Sequence, residues 1–135
     1  MQARLIIWGA SGHARVIADI IRLSGAYTIA GFLDDLWPGR AGQSFEGSTI
    51  LGGRDAIAEG LHGGVTHLIV AFGDCEARLA AGRVAVENGL VLATAIHPSA
   101  VTSSARIGDG AVVVSDVPDD VVAYGVPARV MRSRA

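Results

Sequence analysis

Apolar residues enter this chain in short blocks, and the stretches between the blocks step in threes and fours. Residues 3–8 predict a first strand, 13–24 a first helix, and 27–33 a second strand that ends on Asp34-Asp35. Residues 39–53 read as a loop with 48–51 extended inside it, and 54–60 as a short helix. A third strand is expected over 65–71, running into Phe72-Gly73-Asp74. Leu79, Ala80, Arg83, Val84 and Glu87 recur at helical spacing, which predicts a helix over 76–88, and 91–96 reads as a fourth strand. Near-continuous apolar runs of this length match strands buried on both faces of a parallel sheet. Their alternation with helices predicts βαβ units with right-handed crossovers. The expected fold class is therefore α/β, a Rossmann-like parallel sheet (βαβαβαβ) over residues 1–97.

The pattern changes at His97-Pro98. Val101, Ile107 and Val113 lie six apart, and Ala105, Ala111 and Val117 follow each of them by four. Ile107-Gly108-Asp109-Gly110-Ala111-Val112 reads as one hexapeptide unit. Repeats of this kind build left-handed parallel β-helices, in which an aliphatic residue points inward and a small one fits the turn. The stretch holds roughly one coil. An ordinary edge hairpin with coincidental spacing is the other reading. Residues 98–135 are thus expected to form a second unit, a much shortened β-helix and tail.

Composition narrows the picture. Half of the 135 residues are apolar but only 5% are aromatic, so the core must be aliphatic. Eighteen glycines are nearly twice the usual share of about 7% and imply many tight turns. A net charge of −2 without a basic block argues against nucleic acid as a partner. Cys75 is the only cysteine, so no intrachain disulfide forms, which suits a reducing cytoplasm. The apolar run after Met1-Gln2-Ala3-Arg4 is too short for a signal peptide or a membrane span.

The candidate chemistry begins at Gly9-Ala10-Ser11-Gly12-His13, between the first strand and the first helix. Backbone N–H groups of such a turn and the positive end of the helix make an anion site. A dinucleotide fingerprint has glycine where Ser11 stands, which weakens ordinary NAD binding. The alternative is a turn that serves only to pack the helix, and His13 could donate to a phosphate or face solvent. Asp34 and Asp35 end the second strand, and a carboxylate there can accept from ribose hydroxyls or a base N–H, although Asp-Asp is also common turn chemistry. Gly73 ends the third strand. A parallel sheet brings Gly9, Asp34 and Gly73 to one edge. Trp37 and Phe45 can stack on a base or pack as a flap. His62, His67 and His97 lack metal-ligand spacing with each other or with Cys75, so no metal is expected. No nucleophile elbow occurs, and Ser11 has no evident base.

Four segments occur in order: Ile7-Trp8-Gly9-Ala10-Ser11-Gly12-His13-Ala14, Gly31-Phe32-Leu33-Asp34-Asp35, Ala71-Phe72-Gly73-Asp74 and Ile96-His97-Pro98-Ser99-Ala100. With 110–118 and 123–129 they closely resemble the sugar acyltransferases of the NeuD/PglD type. The resemblance implies a Rossmann-like domain that holds a UDP- or GDP-linked sugar. It also implies a C-terminal left-handed β-helix that trimerises and binds acetyl-CoA between subunits. It carries over Gly9, Ser11, Gly12 and His13 as the phosphate loop, Asp34 and Asp35 as nucleoside contacts, and Gly73 as a close approach. Family members have several coils between the first hexapeptides and the closing Val-Pro segment, and these coils hold a histidine general base. Here 104–110 runs directly into the closing segment in unbroken six-residue phase. An in-frame loss of coils is expected, with no catalytic residue left and transferase activity impaired. Two other readings stand beside it: an active acetyltransferase completed across subunits, and a small NAD- or CoA-binding module.

Overall fold

The computed structural model describes residues 2–100, 106–107, 110–113, 121–125 and 128–133. Strand β1 (Ala3–Trp8) leads into α1 (Gly12–Ser24) and β2 (Tyr27–Leu33). A hairpin of β3 (Ser44–Phe45) and β4 (Ser48–Gly52) follows, then α2 (Ile57–His62) after a 3-10 turn at Arg54–Ala56. Next come β5 (Val65–Val70), α3 (Cys75–Glu87) and β6 (Val91–Leu92). The sheet order is β3-β4-β2-β1-β5-β6, parallel except for the β3–β4 pair.

Period-two alternation divides the core. Leu5 and Ile7 of β1 face α1, where Ala14, Ile17, Ala18 and Ile21 form a stripe at i, i+3, i+4 and i+7. Ile6 and Trp8 face the opposite side, with Ile57 of α2 and Ala81 and Ala85 of α3. Helices thus cover both faces of β1, as the continuous apolar runs predict. Helix α1 stops at Gly25, whose left-handed conformation (φ 70°) lets its N–H close on Ile21.

Three expectations need correction. The extended stretch expected at 48–51 is β4, but it is one arm of a hairpin rather than a piece of loop. Glu46-Gly47 makes a two-residue turn with positive φ at both positions (45° and 76°), the requirement of a type I′ hairpin, and β4 then pairs with β2. Helix α3 forms as the spacing predicts, but the residues that carried the spacing are not all its core face: Leu79 is exposed, whereas Ala81 and Ala85 are buried and Val84 packs beside them. Small side chains let the helix sit close to the strands. Residues 91–96 are also not one strand. After β6 pairs with β5, the chain leaves the sheet at Ala93-Thr94, and β7 (Ala95–Ile96) pairs in parallel with β9 (Val112–Val113).

β7 and β9 pack beside α1, where Ala95 and Val112 join its core cluster. β8 (Arg106–Ile107) pairs in parallel with β10 (Val121–Gly125), which pairs antiparallel with β11 (Ala128–Ser133). The described strands of this region thus combine short parallel pairs, Ala95–Ile96 with Val112–Val113 and Arg106–Ile107 with Val122–Ala123, with one antiparallel hairpin over 121–133. Val113 and Ala123 are buried, and Ile107 is half-buried against them with Ile96 and Ala100. Val101, Ala105, Gly108, Asp109 and Val117 lie outside the described residues.

Candidate functional site

A pocket of about 500 Å³ opens over the carboxyl ends of β1, β2 and β5. Its wall is Trp8–Ser11, Leu33–Trp37, Arg40, Arg54, Ala71, Phe72, Asp74 and the Ala77, Ala80 and Ala81 face of α3. α1 packs on one face of the sheet and α3 on the other, so the pocket sits where the chain changes faces, the usual ligand crevice of an open α/β sheet.

The glycine turn is shaped by its neighbours. Gly9 has φ +132°, and a Cβ there would stand 3.1 Å from both the Cβ and the carbonyl oxygen of Ala71. Its N–H donates to the Leu33 carbonyl at 2.8 Å, so it is not a free donor, contrary to the sequence expectation for this turn. Free donors begin later. Ser11 takes the N-cap position in extended conformation and makes no side-chain cap bond, and Arg15 N–H closes the first helical turn on the Ser11 carbonyl. The N–H groups of Gly12, His13 and Ala14 are the unpaired first-turn donors of α1, at the positive end of its dipole. A Cβ at Gly12 would meet nothing within 4 Å. That glycine leaves open space in front of the helix end.

The two carboxylates serve the local scaffold. Asp34 is 7% exposed. Its Oδ1 accepts the Leu36 and Trp37 N–H groups at 2.9 and 3.2 Å, and its Oδ2 accepts Arg40 Nη1 at 2.9 Å. The same Nη1 donates to the Ala10 carbonyl at 3.0 Å, tying the loop after β2 to the glycine turn. Asp35 Oδ1 accepts the Arg54 N–H at 2.7 Å, and its Oδ2 accepts Trp8 Nε1 at 3.1 Å. Asp34 has three of its roughly four acceptor sites filled, whereas the more exposed Asp35 keeps spare capacity.

Of the seven residues singled out from sequence, Gly9, Ser11, Asp34 and Asp35 line the pocket; Gly12, His13 and Gly73 do not. Gly12 and His13 lie at the helix start behind Ser11, and His13 is exposed. Phe45 is buried edge-on against Phe32 at 4.8 Å between ring centroids, so it is the packed flap rather than a stacking platform. Trp37 lines the pocket at 67% exposure, with Leu36 at 82% beside it. Sequence reasoning missed Arg40, Arg54 and the α3 wall. Asp74 was read only as the strand end, yet it lines the pocket and caps α3 by accepting the Ala77 N–H at 3.0 Å. The arginines left no local signal, because Arg40 and Arg54 meet Ala10 and Asp35 across 30 and 19 residues. The Asp74-x-x-Ala77 cap spacing was the one usable clue.

Among the described residues, no group of three or more His, Cys, Asp and Glu is placed to hold a metal ion, and no helix is long and apolar enough to cross a membrane.

With this geometry in hand, comparison with known proteins is specific. The profile of the PglD N-terminal domain matches residues 4–81. PerB from Caulobacter crescentus, solved with CoA and GDP-perosamine, is 33% identical with a TM-score of 0.79. The match covers 89% of this chain and 56% of PerB. The acetyltransferase domain of PglB from Neisseria gonorrhoeae FA1090, solved with acetyl coenzyme A, is 32% identical with a TM-score of 0.76. It covers 90% of this chain and 58% of that one. This chain therefore spans little more than half the length of these relatives. No curated protein matches it.

Proposed function

Because this chain belongs to the PglD N-terminal domain family, we propose that its strand-end pocket binds a nucleotide-sugar. One observation carries the reading: the pocket lies over the ends of β1, β2 and β5, with the uncapped start of α1 beside it. A diphosphate would take the first-turn N–H groups of α1, with Ser11 Oγ and His13 as further donors and Gly12 leaving it room. Asp35 has the spare acceptor capacity for ribose hydroxyls or a base N–H, while Asp34 acts mainly by holding the loop. Gly73 continues the β5 edge beyond Phe72. The GDP-perosamine in PerB supports a nucleotide-sugar over a dinucleotide, and Ser11 in place of the middle glycine counts against NAD.

We further propose that residues 1–97 form the binding domain and 98–135 a vestigial hexapeptide-repeat unit. In this family reading acetyl-CoA would be the co-substrate: a sugar amine or hydroxyl attacks its thioester carbonyl, a base takes the proton, and the C–S bond breaks to give the acetylated sugar and CoA thiol. A general base contributes about 10²–10⁴-fold to such a transfer. No histidine follows His97 in this sequence, so the chain by itself retains binding and little transfer. Assembly of a homo-oligomer through 98–135 would cover the edges of its short sheets.

Calorimetric titration with GDP- and UDP-linked amino sugars tests the reading. Saturable heat with one of them is expected. A folded protein that gives heat only with NAD or CoA would overturn it. Release of CoA from acetyl-CoA with a nucleotide-linked amino sugar, at high protein concentration, would instead establish an enzyme completed across subunits.

A further inference from the structure

The pocket's described lining carries Asp34, Asp35 and Asp74 against only Arg40 and Arg54. A doubly charged diphosphate entering it must meet a cation, and the two arginines are not equivalent. Arg40 Nη1 is committed to the Asp34 carboxylate and the Ala10 carbonyl. Arg54 makes one weak polar contact with its side chain, Nε to Asp35 Oδ2 at 3.9 Å. Its guanidinium lies over the Trp8 ring, 5.7 Å from the centroid, and the side chain is 59% exposed. Trp8 immediately precedes Gly9, and its indole N–H is itself fixed by Asp35. The ring face and Asp35 orient the guanidinium, and its Nη edge makes no hydrogen bond among the described residues.

We propose that Arg54 is the residue that selects diphosphate-bearing ligands at this pocket. It donates its free Nη edge to a diphosphate oxygen pair while α1 holds the other side. The inference rests on the nucleotide-sugar reading and adds the group that reads charge. A planar guanidinium positioned over an aromatic ring can make a bidentate phosphate contact, which a lysine cannot reproduce.

The test compares GDP with guanosine, and UDP with uridine, on wild type, Arg54→Gln and Arg54→Lys by calorimetry. Arg54→Gln should weaken the diphosphate that wild type binds by roughly 10- to 100-fold, the usual effect of losing a hydrogen bond to a charged group. The matching nucleoside should change less than about twofold, and the unfolding midpoint by less than about 4 °C. Arg54→Lys should recover only part of the loss. Arg4→Gln, an exposed cation at the amino end of β1 and outside the pocket lining, is the control and should leave both affinities alone. If Arg54→Gln unfolds the protein, a loss for the diphosphate alone in Arg54→Lys still supports the proposal, and none overturns it. Equal losses for nucleoside and diphosphate, or none for either, would overturn the role of Arg54 and leave the nucleotide-sugar reading standing. A wild type that binds no nucleoside diphosphate would overturn both.

Discussion

Residues 3–92 and the described strands of 95–133 use the same device, parallel pairing between segments distant in sequence, with unequal results. In the first region β1 is paired along its length on both sides, and helices bury Leu5, Ile6, Ile7 and Trp8 from above and below. In the second, β7, β8 and β9 are two residues each, and among the described residues the cluster around them holds Val113 and Ala123 as buried hydrophobics. The difference lies in layers. A strand covered on both faces contributes to two cores, whereas a two-residue pair must borrow its burial, as Ala95 and Val112 do from α1. The site follows the same division, since the described pocket wall is drawn from residues 8–81.

Substitutions placed in either region test this contrast. Phe32→Ala removes a fully buried ring between β1 and the Phe45 flap and should cost about 3–5 kcal/mol, read as a lower urea midpoint for the whole chain. Gly9→Val forces a side chain into φ +132° against Ala71. It should cost about 2–5 kcal/mol and remove nucleotide binding with it. Gly12→Leu separates the two effects. Its side chain enters open space, so the unfolding midpoint should hold or rise. Nucleotide-sugar affinity should fall at least about tenfold as the start of α1 is covered. Val113→Ala deletes two methyl groups from the smaller cluster and should cost about 1.5 kcal/mol. Hydrogen exchange should show the loss as local opening near β7 and β9, with β1 and β5 unchanged. Glu46→Asn relieves a positive φ in a turn that favours Asn-Gly and should gain about 0.5 kcal/mol, with no effect on binding.

The halves also differ in what their sequences reveal. β1, β2, β5 and their helices are legible because each buried face repeats within a few residues, as Leu5-Ile7 and Ala14-Ile17-Ala18-Ile21 do. The break at Ala93-Thr94 is not legible, because Val91-Leu92 and Ala95-Ile96 are equally apolar and only their partners, β5 and β9, tell them apart. At the site, the glycine turn and the two aspartates stand out as residue types at a strand end. What they do depends on remote groups. Gly9 gives its N–H to Leu33, Asp34 is engaged by Arg40, and Asp35 fixes Trp8 and the Arg54 backbone. His13 matches a phosphate-loop position by spacing yet stands outside the pocket lining, since spacing fixes its helix position and not its direction.

The most direct measurement of the central claim is residue-resolved amide hydrogen exchange, with and without a saturating GDP- or UDP-linked sugar. Binding at the strand-end pocket predicts slowed exchange at Gly12, His13 and Ala14 and across the loop from Asp34 to Arg40, with 95–133 unchanged. Protection confined to 95–133, or none at the start of α1 while the ligand is demonstrably bound, would contradict it.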